Sequence, residues 1–548
     1  MLEQVRAWIG DDPDLDDRAT LTHLIETDDE DELKSRFCAP LRFGTAGLRG
    51  PVMAGPGGMN RLTVRRATQG VVAWLAEIGV DAGLGVVVGR DARHGSELFN
   101  NEVVSVLLGA GVRVYEMPAA LPTPLVAYCV KALGAAAGIM VTASHNPPRD
   151  NGYKLYAHDG AQIVAPNDAI VERYASCAAT PTLSSRTSAL HSYVADSVLD
   201  SYRRHFSERF AVSGGSKLRI VYTPLHGVGG ATMMDLFARA GYERVSPVEE
   251  QFEPDPDFPT LAFPNPEEPG ALDLAVACAQ TRKASLVIAN DPDADRLGAA
   301  VRARDGWQVL RGDEIGWLLA WSLLAPMSGP SDVVATTIVS STLLAQMASE
   351  ANVRCATTLT GFKWIARAGE GGVLRFGYEE ALGFAVDPAV ADKDGMSAAL
   401  ALARIAHELD RHGRSLLDLL DDIESHFGVH AVAQLSLRYD GAGGQQRIAS
   451  AMSKLLNDPP RRLGQVDVSD TFDLNDGFGG LAPTEGMYLS LGAAGRVVVR
   501  PSGTEPKLKA YIEVVGAPIE RSMLESERRR VRAIAECVRS DLASSLND

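Results

Sequence analysis

The chain has 548 residues, 46% of them hydrophobic, and its 53 basic against 70 acidic residues leave a formal net charge of −17. Such a charge argues against nucleic acid or an anionic membrane as a partner, because both are negatively charged as well. The length predicts several hydrophobic cores, arranged in three or four domains.

Neither the first residues nor the apolar runs indicate a targeting or membrane segment. Residues 1–5 lack a basic stretch followed by an apolar one, so no signal peptide is predicted. The longest apolar run, at residues 315–327, is too short to cross a bilayer. We therefore expect a cytoplasmic protein.

Strands alternate with helical stretches along most of the chain. Acidic residues at 11–32 predict a solvated helical lead-in, and a unit of strand, small-residue loop and amphipathic helix then recurs at 85–108, 218–240 and 332–348. Beyond about residue 427 the pattern changes to an alternating strand at 431–437 and ends in a charged helix at 519–544. This order predicts α/β architecture with parallel or mixed sheets, followed by a smaller α+β segment.

The loop Thr142-Ala143-Ser144-His145-Asn146-Pro147 follows an apolar run and carries the first candidate for chemistry. Small residues and a proline after a strand predict a turn, which should leave the hydroxyl of Ser144 exposed. A serine hydrolase would place its serine in a Gly-x-Ser-x-Gly elbow, and the sequence contains none. From the loop alone, a serine without a catalytic role and a nucleophile of another kind both stay open.

A buried strand at residues 285–289 is followed at once by three aspartates spaced two apart, Asp291, Asp293 and Asp295. Carboxylate oxygens are the hard ligands that Mg²⁺ prefers. An EF-hand loop is excluded, because arginines occupy the positions where it needs glycine and glutamate. From the triplet alone, a solvated acidic turn and an aspartyl nucleophile stay open. A serine nucleophile combined with a metal site indicates phosphoryl transfer.

Two further loops offer ligands for an anion and for a polyol. The segment after the strand at 495–500 gathers two cations and two hydroxyls around one glycine, which is typical of an anion nest and is not needed in a plain hairpin. A carboxylate at Glu379 can accept hydrogen bonds from two neighbouring sugar hydroxyls, although the pair Glu379-Glu380 also fits a solvated helix start. The candidate anion ligands are Arg500, Ser502, Gly503, Thr504 and Lys507.

Glycine-rich segments at 83–85 and 227–230 do not complete a dinucleotide-binding motif, and no Walker A motif occurs. The segment at 227–230 is better interpreted as a loop that opens a domain, between a strand at 218–222 and a helix that starts near residue 231.

Taken in order, these loops resemble those of the α-D-phosphohexomutase superfamily, from about residue 43 to residue 507. The serine loop matches residue for residue, Arg296 follows the third aspartate as in that family, and residues 500–507 resemble its substrate-phosphate loop. The segment Phe43-Gly44-Thr45-Ala46-Gly47-Leu48-Arg49-Gly50 resembles its N-terminal signature. Val88-Gly89-Arg90-Asp91-Ala92-Arg93, after the first strong strand, is a further match.

The resemblance implies roles for residues that the pattern alone does not explain. Arg49 would help to hold the phosphoserine or the substrate, Lys154 would lie in the active site, and Arg296 would hold a ligand or the phosphate. Ala381 stands where the family often has a serine, so one hydroxyl contact is missing from the sugar loop. Further residues in loops that contact sugar or phosphate are Thr360, Gly361, Lys363 and Lys393.

The resemblance also implies a mechanism. Ser144 carries a phosphoryl group, and one Mg²⁺ ion is bound by the three aspartates and by the phosphorylated Ser144. A sugar monophosphate takes the group to give a bisphosphate, which turns end for end and returns its other phosphate to Ser144. A primer of the glucose 1,6-bisphosphate type is expected as a cofactor. Proton handling falls to His145 or Lys154, with Lys154 preferred, and a structural role for His145 stays open.

The fold implied is a four-domain α/β architecture, with three similar α/β domains followed by a smaller α+β domain. The expected domains are 1–211 with the phosphoserine loop, 212–316 with the metal loop, 317–430 with the sugar loop and 431–548 with the phosphate loop. The leading hypothesis is a phosphoglucomutase or phosphomannomutase, which exchanges phosphate between the 1- and 6-positions of a hexose. A phosphopentomutase and a sugar-bisphosphate synthase or sensor stay open. A small sugar phosphate is the expected partner, and both monomer and dimer stay open.

Overall fold

The computed structural model describes residues 1–43, 47–327, 329, 331–439, 443–502 and 507–547. The chain divides into two compact units. The first unit contains Met1–Leu310 and Leu382–His407, and the second contains Arg311–Ala381 and Glu408–Asp548. Among the described residues, no helix is both long enough and apolar enough to cross a membrane.

The first unit is built mainly from alternating strands and helices. Its strands up to Leu310 are β1 Leu48–Pro51, β2 Val86–Arg90, β3 Val114–Glu116, β4 Ala137–Val141, β5 Asp150–Ala157, β6 His191–Tyr193, β7 Ile220–Thr223, β8 Val245–Pro247, β9 Leu286–Ala289, β10 Gly298–Ala303 and β11 Gly306–Leu310. Its helices in the same range are α1 Leu2–Asp11, α2 Leu15–Glu26, α3 Glu30–Phe37, α4 Arg61–Glu77, α5 Ser96–Gly109, α6 Thr123–Leu133, α7 Asn167–Ser176, α8 Asp196–Arg209, α9 Gly230–Arg239, α10 Glu249–Phe252 and α11 Asp273–Arg282.

The remaining elements follow in chain order. The strands are β12 Asp332–Thr337, β13 Arg354–Thr358, β14 Val373–Glu379, β15 Gly383–Ala385, β16 His430–Arg438, β17 Arg462–Leu463, β18 Val466–Asp467, β19 Asp470–Asp473, β20 Met487–Ser490, β21 Gly495–Pro501 and β22 Lys507–Val515. The helices are α12 Gly312–Leu324, α13 Leu343–Glu350, α14 Phe362–Ile365, α15 Gly395–Asp410, α16 Leu416–Phe427, α17 Gly444–Asn457 and α18 Leu524–Asn547. The strand expected at 431–437 and the charged C-terminal helix are both present, as β16 and α18.

Three sets of parallel strands have the same spatial order, as the recurring unit of strand and helix predicts. The first sheet has the order β1-β5-β4-β2-β3-β6, and the second has the order β11-β10-β9-β7-β8. In each, the leading strand (β2 or β7) lies between the next two strands of its unit and is parallel to both. In the second compact unit, β12 lies between β13 and β14 and is parallel to both. The predicted α/β fold class is confirmed.

The last sheet is antiparallel, with the order β16-β22-β21-β20-β19. Helices α17 and α18 pack on it and enclose a core that includes Ile448, Val497, Ile512 and Val531. This matches the predicted α+β segment at the end of the chain. The proposed boundaries at 211/212, 316/317 and 430/431 stay predictions, because division into two compact units does not resolve four domains.

Local sequence signals explain where the elements near the serine loop begin and end. Helix α6 has a proline in its first turn, Pro124, and ends at Leu133, before Gly134, whose φ of 61° suits a residue without a side chain. The valines of β2 and the apolar residues of β4 are buried, as expected for parallel strands that are covered on both faces. The carboxyl ends of β2 and β4 therefore meet at one edge of the first sheet, where Asp91 and Thr142 follow them.

Candidate active site

Ser144 follows β4 in a loop whose backbone is unusual. Its φ of 53° lies in the left-handed region, which costs a residue with a side chain roughly 1 kcal/mol. Its hydroxyl donates to Asp291 Oδ2 at 2.8 Å, and its oxygen lies 3.2 Å from His145 Nδ1. The prediction of an exposed hydroxyl was wrong: Ser144 is 1% exposed, because the loop turns the side chain onto the aspartate loop and not toward water.

The three predicted metal aspartates lie together in the turn after β9. One carboxylate oxygen of each lies within 4.8 Å of the others, and all three residues are completely buried. Ala294, between the last two aspartates, has a φ of 56°, and its amide donates to Asp291 O at 2.8 Å. This tight turn points alternate side chains to one side, so the spacing of two in the sequence becomes a cluster.

Two lysines offset part of the negative charge of the cluster. Lys154 Nζ lies 2.6 Å from Asp293 Oδ2 and 2.6 Å from Asp295 Oδ2. Lys393 Nζ lies 3.5 Å from Asp295 Oδ2. Burial alone would lower the pKa of Lys154, but the carboxylates of Asp293 and Asp295 outweigh it and raise that pKa above its ordinary value.

The remaining oxygens of the same carboxylates indicate whether the cluster can bind a metal ion. Within the described part of the chain, Asp293 Oδ1 and Asp295 Oδ1 are buried without a hydrogen-bond partner. Burial and the charges of Asp293 and Asp295 raise the pKa of Asp291 well above its ordinary range. Buried carboxylate oxygens without partners are costly, and a hard divalent cation bound by oxygen would satisfy them. The residues present therefore fit Mg²⁺.

The two arginines assigned by resemblance lie beside this cluster. Arg49 belongs to β1 and pairs with Gly152 of β5, the strand that carries Lys154. Burial lowers the pKa of Arg49, while the charges of Asp293 and Asp295 oppose that shift. The Arg296 amide donates to Asp291 Oδ1 at 3.0 Å, so this residue helps to orient the first aspartate through its backbone.

His145 has an environment that favours its neutral form. Burial, followed by the positive charges of Arg296 and Arg49, holds the pKa of His145 well below its ordinary value. A neutral imidazole can accept a proton or a hydrogen bond from a hydroxyl. Its Nδ1 is in contact with Ser144 Oγ, whereas Lys154 Nζ contacts carboxylates.

A loop after β7 packs against the aspartate turn at Pro292. The amide of Val228 donates to Pro292 O at 2.8 Å. A Cβ atom added at Gly227 would lie 2.3 Å from Pro292 Cα, so only glycine permits this approach. The glycine-rich segment that does not fit dinucleotide binding therefore contacts the proposed metal loop.

The sugar-binding candidates of the second compact unit come from one edge of its parallel strands. Strands β12 and β13 pair as far as Thr337 and Thr358, and β12 and β14 pair as far as Thr336 and Tyr378. The residues that follow β13, and Glu379 at the end of β14, therefore leave the sheet at the same edge. These candidates are Thr360, Gly361, Lys363 and Glu379.

Glu380, next to Glu379, is held by the second compact unit. Ser340 Oγ donates to Glu380 Oε2 at 2.8 Å. Burial, the charge of Glu379 and the charge of Asp313 raise the pKa of Glu380 to about 7. A Cβ atom added at Gly312 would lie 1.9 Å from Glu380 O, so the start of α12 also packs tightly against this turn.

The predicted phosphate loop connects two strands of the last sheet. Strands β21 and β22 pair through Pro501 and Leu508, and the amide of Ser502 donates to Lys507 O at 2.8 Å. Arg500, Ser502 and Lys507 are half-buried around this connection. Gly503 and Thr504, predicted as anion ligands, lie outside the described residues.

Sequence patterns alone did not indicate several residues that organise the site. Thr123 Oγ1 donates to Asp293 Oδ2 at 2.5 Å, although 170 positions separate the two residues. Thr142 Oγ1 accepts from the Ser144 amide at 2.9 Å. Thr142 lies within the serine loop and could have been found there, but Thr123 opens a helix and no local signal connects it to the aspartates.

Family models match the chain in the same order as these loops. The models described as α/β/α domains I, II and III of phosphoglucomutase/phosphomannomutase match residues 40–180, 200–306 and 311–427. The model of the C-terminal domain of phosphoglucomutase/phosphomannomutase matches residues 465–529.

Curated relatives resemble the chain over most of its length. A probable phosphomannomutase of Haemophilus influenzae is 38% identical over 468 residues, which is 84% of this chain and 93% of the relative. A probable phosphoribomutase of Schizosaccharomyces pombe is 33% identical over 559 residues, 95% of each chain. Other relatives are named phosphopentomutase, phosphoglucomutase and glucose 1,6-bisphosphate synthase.

A crystal structure of a phosphoglucomutase/phosphomannomutase family protein from Burkholderia thailandensis has the same fold. It superposes with a TM-score of 0.69 at 21% identity, covering 90% of this chain and 97% of that one. The shared architecture agrees with the order of the matched domain models.

Proposed function

The chain belongs to the phosphoglucomutase/phosphomannomutase family, most of whose relatives reported above are named as phosphosugar mutases, and we propose from that premise that it moves phosphate between the 1- and 6-positions of a hexose phosphate. One observation carries the proposal. Ser144 Oγ lies 2.8 Å from Asp291 within a buried aspartate cluster that retains unpartnered oxygens. A nucleophilic hydroxyl beside ligands for a divalent cation is the arrangement that phosphoryl transfer requires.

The aspartates supply the proposed cation site. Asp291, Asp293 and Asp295 would hold one Mg²⁺ ion, with the phosphorylated Ser144 as a further ligand. Mg²⁺ neutralises phosphoryl charge and orients the group for in-line displacement when it is bound. Lys154 and Lys393 contact the opposite oxygens of Asp293 and Asp295, so they fix these carboxylates without using the oxygens that remain.

The reaction proceeds in two transfers. A free hydroxyl of the sugar monophosphate attacks the phosphorus on Ser144, its new P–O bond forms, and the bond to Ser144 Oγ breaks. The resulting bisphosphate turns end for end, and Ser144 Oγ takes the other phosphate. Both transfers depend mainly on positioning and on electrostatic stabilisation of the phosphoryl group. A glucose 1,6-bisphosphate-type primer would phosphorylate Ser144 at the outset.

Geometry separates the two candidates for proton handling. His145 Nδ1 is 3.2 Å from Ser144 Oγ, which is hydrogen-bond distance, while Lys154 Nζ lies between two carboxylates. The proposal therefore assigns the exchange of the serine proton to His145, whereas the sequence alone favoured Lys154. Lys154 then acts as a fixed positive charge that orients Asp293 and Asp295. Arg49 and Arg296 flank the same cluster and are proposed to hold the transferring phosphate.

The second unit supplies the proposed recognition residues. The resident phosphate of the substrate would bind to Arg500, Ser502, Gly503, Thr504 and Lys507. Glu379 would accept hydrogen bonds from sugar hydroxyls, with Thr360, Gly361 and Lys363 at the same edge of the sheet. Lys393, in the first unit, is proposed to contact substrate as well. Ala381 contributes no hydroxyl here, so the choice of sugar rests on fewer side-chain contacts.

A pentose phosphate is the second candidate substrate. The relative named probable phosphoribomutase matches 95% of this chain, compared with 84% for the one named probable phosphomannomutase, but it is less identical. Phosphate exchange between the 1- and 5-positions of ribose would use the same serine and aspartates.

The test is a coupled assay with Mg²⁺, a trace of glucose 1,6-bisphosphate, and glucose 1-phosphate, mannose 1-phosphate or ribose 1-phosphate as substrate. Faster turnover of a hexose phosphate supports the proposal and identifies the epimer. Turnover of ribose 1-phosphate alone would replace the hexose by a pentose and leave the mechanism in place. Inactivity on all three, with Ser144 shown to be phosphorylated, would contradict the mutase proposal and favour a bisphosphate synthase or sensor.

A further inference from the structure

The segment Arg90-Asp91-Ala92-Arg93, directly after β2, has no role in the scheme above. It leaves the first sheet at the same edge as the serine loop, because β2 and β4 are parallel and pair through Arg90 and Val141. Arg93 is 4% exposed and Asp91 is 1% exposed. A buried arginine is costly unless its donors are satisfied, so the partners of Arg93 indicate what it does.

The guanidinium of Arg93 donates to three backbone carbonyls of the serine loop and to the carbonyl of Asp150, the first residue of β5. Nη2 lies 2.5 Å from Ser144 O and 2.6 Å from Asn146 O. Nη1 lies 2.8 Å from Pro147 O and 3.2 Å from Asp150 O. The planar guanidinium therefore connects carbonyl groups from the beginning and the end of the loop. The single ammonium group of a lysine cannot reproduce this geometry.

Asp91 is connected to the same loop through Thr142. Its Oδ2 accepts from Thr142 Oγ1 at 2.6 Å, and Thr142 Oγ1 in turn accepts from the Ser144 amide at 2.9 Å. Its Oδ1 accepts from the Arg93 amide at 3.0 Å and from Ser96 Oγ at 2.5 Å. The amide and the carbonyl of Ser144 are therefore both bound, one through Thr142 and the other by Arg93.

These contacts explain how Ser144 keeps a backbone conformation that its side chain disfavours. A non-glycine residue with a φ of 53° persists only where surrounding contacts determine it. The hydrogen bond from Ser144 Oγ to Asp291 cannot do this throughout the cycle, because a phosphorylated serine has no hydroxyl proton to donate. The bonds to the backbone of Ser144 are independent of its phosphorylation state.

We propose that Arg93 and Asp91 are positioning residues, which hold the serine loop so that Ser144 Oγ faces the aspartate cluster in both the free and the phosphorylated enzyme. This inference rests on the proposed phosphoserine mechanism. The hydrogen bonds of Arg93 go to backbone carbonyls, and those of Asp91 come from Thr142, Ser96 and the Arg93 amide, so none involves Ser144 Oγ or an aspartate of the cluster. Their effect is on the geometry of transfer, which loses about 100-fold in rate for a displacement of about 1 Å.

Arg93→Lys tests the inference, with Arg186→Lys as the matched control. Arg186 also uses its guanidinium fork within the first unit, but on Glu116 and Asn101. We expect Arg93→Lys to lower kcat about 100-fold, with KM and the binding of Mn²⁺ by the unphosphorylated protein changed by less than about 3-fold. The rate at which glucose 1,6-bisphosphate phosphorylates Ser144 in the Arg93→Lys variant should fall by the same factor as kcat. Arg186→Lys should keep its kcat even if its Tm falls equally.

A second pair of variants tests the inference even if the Arg93→Lys protein does not fold correctly. Thr142→Val deletes the hydroxyl that joins Asp91 to the Ser144 amide at nearly constant volume, and should lower kcat about 10-fold. Thr142→Ser restores the hydroxyl and should restore kcat. A folded Arg93→Lys protein with the kcat of the parent, or equal kcat in the valine and serine variants, would overturn the inference alone. An unmodified protein without turnover of any phosphosugar would overturn the proposed function, and this inference with it.

Discussion

The two compact units hold their functional side chains in different ways. In the first unit, Ser144, Lys154 and the aspartates are buried, and hydrogen bonds join the serine loop and Lys154 of β5 to the aspartate loop. In the second unit, Arg500, Ser502 and Lys507 are half-buried at a connection between two antiparallel strands. The first arrangement fixes reacting groups before a ligand arrives, and the second leaves cations accessible to an anion. The contrast supports the proposal that the first unit carries the chemistry and the second unit binds the substrate.

The largest effect is expected from Ser144→Ala. Without the oxygen that accepts and returns the phosphoryl group, kcat should fall by about 10⁴-fold or more, while the fold is retained because only one small side chain is shortened. Turnover and circular dichroism of the variant check both points. Substantial mutase activity would contradict the covalent scheme, and with it the proposal that the first unit carries the chemistry.

Asp293→Asn should lower the affinity for Mg²⁺ by about 100-fold or more, with a matching loss of activity at limiting metal. The amide keeps the volume but replaces a charged ligand in the cluster. Calorimetric titration with Mn²⁺ measures the loss directly. Asp313→Asn, a buried aspartate of the second unit, is the control and should bind metal normally. Unchanged metal affinity in Asp293→Asn would refute the metal assignment.

Arg500→Gln should raise KM for the sugar monophosphate about 10- to 100-fold and change kcat much less, because it removes the proposed charge-assisted contact to the resident phosphate. Arg462→Gln, at an exposed arginine of the same unit, should leave both constants unchanged. Steady-state kinetics separate the two parameters. A variant that loses kcat at constant KM would erase the difference between the two units.

Gly227→Ala should weaken metal binding about 10-fold, because its Cβ would meet Pro292 and displace the aspartate turn. Gly10→Ala, in helix α1 where a Cβ atom meets nothing within 4 Å, should have no such effect. Mn²⁺ titration compares the two proteins. Equal affinities would show that the turn does not depend on its support by the β7 loop.

The smallest effect concerns the pH dependence of stability in the second unit. The pKa of Glu380 is raised from 4.5 to about 7, so the folded state keeps a proton that the unfolded state releases. Stability should therefore fall as the pH rises from about 4.5 to 7, and then level off. Glu380→Gln should remove this part of the decline and raise Tm at pH 7 relative to pH 5 by roughly 3 °C.

Exposed Glu485 provides the control for that measurement, because Glu485→Gln changes a charge in the same unit without a buried carboxylate. Thermal unfolding followed between pH 5 and pH 8 compares the two variants. Parallel curves for Glu380→Gln and the parent protein would show that the turn beside Glu379 does not bury a protonated carboxylate.

The fold and the identity of the main loops could be predicted from the sequence, because each loop is a short run after an apolar strand. The recurring strand and helix units predicted three similar cores, and β2, β7 and β12 occupy equivalent places in them. Contacts between distant segments could not be predicted. The hydrogen bond from Thr123 to Asp293 and the four hydrogen bonds of Arg93 depend on which segments meet at the same edge of a sheet. No local sequence pattern encodes that arrangement.

The sequence also led to a wrong expectation at Ser144. A small-residue turn with a proline is normally exposed, and the exposure of the hydroxyl was inferred from that preference. The left-handed φ of Ser144, together with its partners Asp291 and Arg93, turns the side chain inward instead. Backbone strain of this kind depends on tertiary contacts and leaves no signature in composition or periodicity.

The central claim, that Ser144 carries the phosphoryl group between sugars, is tested most directly by a pulse and chase with labelled phosphate. The protein is incubated with ³²P-labelled glucose 1,6-bisphosphate and Mg²⁺, separated from the sugar, and then mixed with an excess of the unlabelled monophosphate that it turns over. The account predicts label on the peptide that contains Ser144, and its transfer to the sugar at least as fast as kcat. Label on an aspartate, or phosphoserine that does not leave during the chase, would contradict it.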